Sequence, residues 1–185
     1  MELNRGVPRR RAHTGAWRSL VARLNGVQEV GSANLPVRGA TEHLNVMWTN
    51  WKKFNKESLN GCSESPGVYY VRWVNGKGKS VPIPRILGKD TEGTLYIGMT
   101  GKGRDSDLCN RLWTFWDKAS GRQGAHSGAK RFLRNLSGQI PVERLEYRYR
   151  QQKTRNRALR LERECLKYYE KQYGELPPLN GSGVV

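Results

Sequence analysis

Apolar positions are sparse and irregular up to about residue 60 and become periodic from Gly61 onward. The run Val68 to Val74 is rich in β-branched and aromatic residues and is followed by the turn signal Asn75-Gly76, which predicts a strand. Val81 to Leu87 contains Pro82 and Pro84, whose missing N–H groups confine it to an edge strand or an extended loop. Asp90 to Gly93 reads as a turn, and Thr94 to Met99 as a second strand. Ser106 or Asp105 is then expected to cap a helix running to about Ser120, with Leu108, Leu112, Phe115 and Trp116 as its apolar stripe. Ala129 to Leu136 predicts a shorter helix after a glycine-rich loop. Leu145, Tyr147 and Tyr149 alternate with Glu146, Arg148 and Arg150, the pattern of a half-buried strand. Thr154 caps the longest predicted helix, which reaches about Tyr173 and is ended by Gly174. Pro177, Pro178, Leu179 and Asn180 follow as an ordered tail. This β–β–α–α–β–α order predicts a small α/β (α+β) sandwich and excludes a doubly wound sheet.

The first 60 residues read as a separate basic extension, and residues 61–185 as the organised domain. The first 15, with Arg9-Arg10-Arg11, have no periodicity and read as a flexible arm. Trp17 to Leu24 predicts a short helix. Val46, Met47, Trp48, Trp51 and Phe54 recur at near-helical spacing opposite Lys52, Lys53 and Lys56, and are expected to pack on the main domain.

Charge changes the picture most. Lys and Arg number 33 against 16 Asp and Glu, for a formal net charge of +17. A basic surface of that size points to a polyanionic partner, with nucleic acid as the first expectation. No apolar stretch approaches the roughly 18 residues needed to span a bilayer, so a membrane role is not expected. Cys62, Cys109 and Cys165 form no CxxC pair, which argues against a structural zinc site and leaves three reduced cysteines in a cytoplasmic protein as the expectation.

Single residues then acquire meaning. Glu162 lies on the last helix with Ala158, Leu159, Cys165, Leu166 and Tyr169 as surface neighbours. An uncompensated carboxylate there would cost several kcal/mol, so either an arginine or a metal ion should balance it. Glu164 has Arg160 and Lys167 beside it and reads as a solvated ion-pair former. Arg111, at the margin of the first helix's stripe, either snorkels to solvent or holds its planar fork against a phosphate. Tyr69 and Tyr96 stand on strands next to glycine, where a core tyrosine with a satisfied hydroxyl is the plainer reading. His126 sits in the loop Gly124-Ala125-His126-Ser127-Gly128, where solvent exposure is the plainer expectation. Gly101-Lys102-Gly103 lacks the spacing of a phosphate-binding Walker loop.

Taken in order, GVYYVRW, LYIGMT, DLCNRL, LERECLK and PPLN resemble the GIY-YIG nuclease superfamily over Gly67 to Asn180. The resemblance implies a three-stranded antiparallel sheet flanked by helices. It also implies hydrolysis of phosphodiester bonds in double-stranded DNA, leaving 5′-phosphate and 3′-hydroxyl ends. By the same resemblance Tyr69 receives the proton of the attacking water and Tyr96 positions water or phosphate. Arg111 offsets charge on the reacting phosphate, Glu162 binds one Mg²⁺ or Mn²⁺ per active site, and Asn180 braces the site. The chain departs from the family in two places. Tyr69 and Tyr96 are 27 residues apart, with an insertion carrying Lys77, Lys79, Arg85 and Lys89 that is expected to touch DNA. Phe115 stands where many relatives have a polar His or Tyr, and His126 is the expected replacement. Arg104, Arg122, Gln123, Lys130 and Arg131 are further candidate DNA contacts. The absence of a RING-like zinc signature and of a DNA-binding module after Val185 points to a small restriction-type enzyme, which a homodimer on DNA would suit. Homing or mobile-element cleavage, structure-specific repair and a non-catalytic nucleic-acid-binding role are the alternatives. Cytoplasmic, nucleoid-associated localisation is the matching expectation.

Overall fold

The computed structural model of the chain describes residues 47–101 and 107–181. The compact unit that holds the sheet begins at Trp48. The first 15 residues, Trp17 to Leu24, Arg104, Asp105 and Ser106 all lie outside the described residues.

The predicted strands form at β2 (Gly67–Trp73), β5 (Thr94–Met99) and β6 (Leu145–Gln151), and all pair antiparallel with β2 in the centre. The sheet nevertheless has four strands and not three, because β1 (Lys52–Lys53) pairs with the outer edge of β6. Two lysines show no alternation, so no sequence period marks them as a strand.

Alternation along the strands sorts side chains between two layers. On one face Tyr69, Val71, Tyr147 and Tyr149 join the main core. There they meet α1 (Lys56–Leu59), α2 (Leu108–Ala119) and α3 (Ser127–Asn135) through Leu59, Leu108, Leu112, Phe115, Ala129 and Phe132. On the other face α4 (Arg155–Tyr173) packs across β2 and β5 with Ala158, Leu161, Cys165 and Leu166 buried. Tyr70 points to this second face, where it meets Cys165 and the ring of Trp48.

The segment 48–55 is not a helix. Trp51 lies under the guanidinium groups of Arg72 and Arg148, at 4.1 and 4.6 Å on one face. Phe54 stacks on Phe115 and packs on Tyr147 on the other. The three-residue spacing of its aromatic residues therefore reflects a chain wrapped over the sheet edge. The helix that follows has only four residues, capped by Asn55.

Several helix ends match expectation. Thr154 caps α4 through Arg157 N–H, and Gly174, at φ 76°, closes it in the left-handed region that glycine enters without a Cβ penalty. Helix α2 differs: its cap is Asp107, whose carboxylate accepts from Asn110 N–H. His126 caps α3.

The insertion between β2 and β5 forms a hairpin, β3 (Ile83–Arg85) and β4 (Gly88–Asp90). Its proline is tolerated because β3 pairs on one side only. Arg85 is ion-paired to Glu175 at 2.9 Å and donates to Leu176 O, while Leu87 N–H bonds Tyr173 O. Arg85 is thus committed to fixing the hairpin on the end of α4. Buried Asp90 anchors the other side, accepting from Thr94 N–H and from the Tyr169 hydroxyl.

The expectation of three reduced cysteines is overturned. Cys62 and Cys109, 47 residues apart, are joined in a disulfide, and only Cys165 is free. The loop before β2 delivers the pairing: Cys109 N–H bonds Ser63 O and Leu108 N–H bonds Ser65 O, which seats the start of α2 beside Cys62. A cross-link closing a loop of that length stabilises by about 2–4 kcal/mol. Urea unfolding with and without a thiol reductant checks this, with the reduced protein expected to unfold at clearly lower denaturant. Among the described residues no helix is long and apolar enough to cross a membrane.

Candidate active site

Strand register sets the two tyrosines. Tyr69 on β2 pairs with Gly98 on β5, so a hydrogen rather than a side chain faces the phenol across the ladder. A Cβ at Gly98 would overlap the Tyr96 ring and stand 3.0 Å from the Tyr69 hydroxyl. A Cβ at Gly128, in the first turn of α3, would meet the opposite edge of the Tyr96 ring at 2.6 Å. Tyr96 is therefore seated between two glycines, and its ring lies 5.8 Å from Tyr69, 5.9 Å from Phe115 and 5.4 Å from His126. Gly98→Ala is expected to destabilise by about 1–3 kcal/mol through overpacking, and to displace Tyr96. Thermal melts combined with the near-ultraviolet tyrosine signal check both effects.

Asn180 holds the free edge of β5 beside these rings. Its side-chain oxygen accepts from Ile97 N–H at 3.0 Å and its amide donates to Ile97 O at 2.7 Å, while Leu179 N–H bonds Leu95 O. One asparagine thus satisfies both backbone groups of the residue after Tyr96, acting as a strand would. Arg131 supports the same tail by donating to Leu179 O.

Arg111 of α2 and Glu162 of α4 reach this place from opposite faces of the sheet. The charge of the Arg111 guanidinium acts on both phenols. Burial raises the pKa of each phenol, Tyr69 the more strongly, and Arg111 opposes that rise. The Met99 backbone, at the end of β5, and the charges of Arg111, Arg163 and Arg155 all act to lower the Glu162 pKa. Burial nevertheless dominates and pushes its carboxyl up to about 7. A carboxylate so raised is under-compensated by its neighbours and favours an added cation. Arg111, Arg163 and Arg155 stand near Glu162, and burial outweighs their combined effect.

His126 is the largest departure from the plain reading of its loop. It is 1% exposed, its Nε2 lies 2.6 Å from the Tyr69 hydroxyl oxygen, and its ring sits 4.9 Å from Phe115. The N-terminus of α3 thus places a polar ring between Phe115 and the Tyr69 hydroxyl.

The candidate DNA contacts divide. Lys77 and Lys79 are exposed on the turn after β2, where both backbone N–H groups bond the Asn75 side chain. Lys130 is exposed on α3. Arg122 is exposed but ion-paired to Asp117 and stacked over Trp116, and Arg131 is spent on the tail. Sequence reasoning missed Gly128, the Met99 backbone group and Arg155. Arg155 precedes Glu162 by seven residues, two turns on the same helix face, and that spacing could have found it.

A metal would find a single carboxylate here, since the described residues contain no cluster of three or more His, Cys, Asp or Glu side chains. That set suits Mg²⁺ or Mn²⁺ bound mainly through water and substrate oxygens and does not suit zinc. Comparison with protein-family models, curated proteins and solved structures finds no match to the chain.

Proposed function

We propose that the chain is a metal-dependent DNA endonuclease of the GIY-YIG type that hydrolyses phosphodiester bonds. The observation that carries this reading is the convergence of Tyr69, Tyr96, Arg111 and Glu162, from four elements, into one coupled cluster. Three supporting features surround it. The long strands β6, β2 and β5 have the antiparallel arrangement that the sequence resemblance implies. Asn180 braces β5 at Tyr96, and the +17 charge favours a polyanionic substrate.

In this reading Arg111 places its fork on a phosphate and offsets the charge that grows on its oxygens in the transition state. Tyr69 takes a proton from the attacking water, and Tyr96, held between Gly98 and Gly128, keeps water and phosphate in line. Glu162 would hold the metal, which when bound supplies Lewis-acid stabilisation of the phosphate and leaving oxygens. Binding and orientation of the duplex fall to exposed lysines such as Lys77, Lys79 and Lys130.

Plasmid cleavage in Mg²⁺ compared between wild type and Glu162→Ala tests the assignment. Cleavage that vanishes while DNA binding persists supports it; equal cleavage by both proteins refutes the role of Glu162. The pH dependence adds an independent check. Both Glu162 and Tyr69 must ionise, and burial raises both pKa values. The rate is thus expected to rise through about pH 7 as Glu162 ionises and to go on rising into the alkaline range, with no maximum near neutrality. Among nucleases, a restriction-type enzyme is the reading we favour. End mapping on genomic DNA should then return a fixed palindrome, where a single long site would indicate homing and junction-dependent cuts repair.

A further inference from the structure

We propose that His126 is the positioning residue of this site: a helix-locked, neutral imidazole whose Nε2–H holds the Tyr69 oxygen. The inference rests on the nuclease reading for its catalytic consequence, but its structural content stands on hydrogen bonding alone.

The two ring nitrogens have separate duties. Nδ1 accepts the backbone N–H of Ala129 at 3.2 Å, as the N-cap of α3. A nitrogen that accepts an N–H must present a lone pair, so Nδ1 carries no proton. The ring proton of a neutral imidazole is then on Nε2, which faces the Tyr69 oxygen at 2.6 Å. Turning the ring over would replace both nitrogens by carbons and break both bonds. The Phe115 and Tyr96 rings, packed edge-on against the imidazole, also hold its plane.

An imidazolium is disfavoured on the same geometry, because protonating Nδ1 would destroy the helix cap. The groups facing the ring are Tyr69 from β2, Tyr96 from β5, and Phe115 and Arg111 from α2; of these Arg111 is cationic. Burial first, and then the charge of Arg111, push the pKa of His126 down to about 2.

The chemical consequence follows. Tyr69 receives a hydrogen bond from His126, so its own proton points elsewhere, toward the oxygen of Tyr96, since the Arg111 guanidinium cannot accept one. Once Tyr69 ionises, the bond from Nε2–H becomes charge-assisted and stabilises the phenolate. His126 is therefore neither a base nor a phosphate ligand. It holds its proton throughout and acts on the reaction through Tyr69. It also ties the phenol's orientation to the first turn of α3, the same turn whose Gly128 seats Tyr96.

The test reads the free protein first. The chain has three histidines, so ¹⁵N-histidine labelling gives a spectrum in which His126 is assigned by its loss in His126→Asn. The expected result is an Nε2–H tautomer that does not titrate through the range where ordinary histidines protonate. An Nδ1–H tautomer, or an imidazolium forming near the ordinary pKa, overturns the proposal whether or not the protein cuts DNA. The second arm separates cap from donor. Asparagine is a good N-cap but too short to reach Tyr69 while capping. His126→Asn should keep the melting temperature close to wild type, whereas His126→Ala loses it. The Asn variant should cleave on the order of 10²-fold more slowly, with the alkaline rise of the rate displaced upward by about one pH unit. A His126→Asn protein that folds and cleaves with the wild-type pH profile overturns the positioning role.

Discussion

Arg111→Ala is expected to slow DNA cleavage by on the order of 10²–10³-fold while leaving DNA binding within a few-fold of wild type. Arg111 is the cation whose charge acts on both phenols and on Glu162. Ground-state binding of a duplex is shared among many exposed cations, so one guanidinium contributes little of it. Charge that appears only as the phosphate reacts has fewer partners in the buried site, and losing this one falls on the rate. Arg111→Lys is not expected to rescue, because an ammonium cannot present the planar fork to two oxygens. Single-turnover cleavage and gel-shift binding on one duplex separate the two effects. A variant that loses binding and rate in equal measure would make Arg111 a general DNA contact instead.

Glu162→Gln is expected to stabilise the metal-free protein at alkaline pH. The folded carboxyl titrates at about 7 against an ordinary 4.5. A raised pKa means that the folded state binds the proton more tightly than the unfolded chain. The associated stability is present in full below about pH 4.5 and is lost as pH rises through about 7. The shift corresponds to roughly 3 kcal/mol at most, which glutamine avoids by carrying no charge. Wild type and variant should therefore unfold together near pH 4 and separate above pH 7, with the variant the more stable. Adding Mg²⁺ should raise the stability of wild type alone. Chemical denaturation across pH with a chelator, then with Mg²⁺, measures both. A variant less stable than wild type at pH 8 without metal would show that the arginines already balance Glu162.

Much of this was legible in the sequence because it repeats with a period. Strand β6 buries alternate residues, β2 and β5 are largely buried runs bounded by turn signals, and helices α2, α3 and α4 bury every third-to-fourth residue. Glu162 was visible as a charge out of place on such a pattern. What escaped detection depends on contacts distant in sequence. The Cys62–Cys109 bond is set by backbone pairing of residues 63–65 with the start of α2. The strand Lys52–Lys53 is too short to carry a pattern. The wrap of Trp51 and Phe54 around the sheet edge imitates a helical repeat. His126 looked exposed because its neighbours are small and polar. Those same small neighbours let α3 begin against Tyr96, so Gly128 is what brings the histidine in.

The most direct test of the central claim, that this cluster hydrolyses DNA, is the chemistry of the product ends. Supercoiled plasmid incubated with the wild-type protein in Mg²⁺ should be nicked or linearised, leaving 5′-phosphate and 3′-hydroxyl termini, with a chelator abolishing the reaction. Protein that binds the plasmid but leaves it intact in Mg²⁺ and in Mn²⁺, across DNAs of diverse sequence and structure, would contradict the claim.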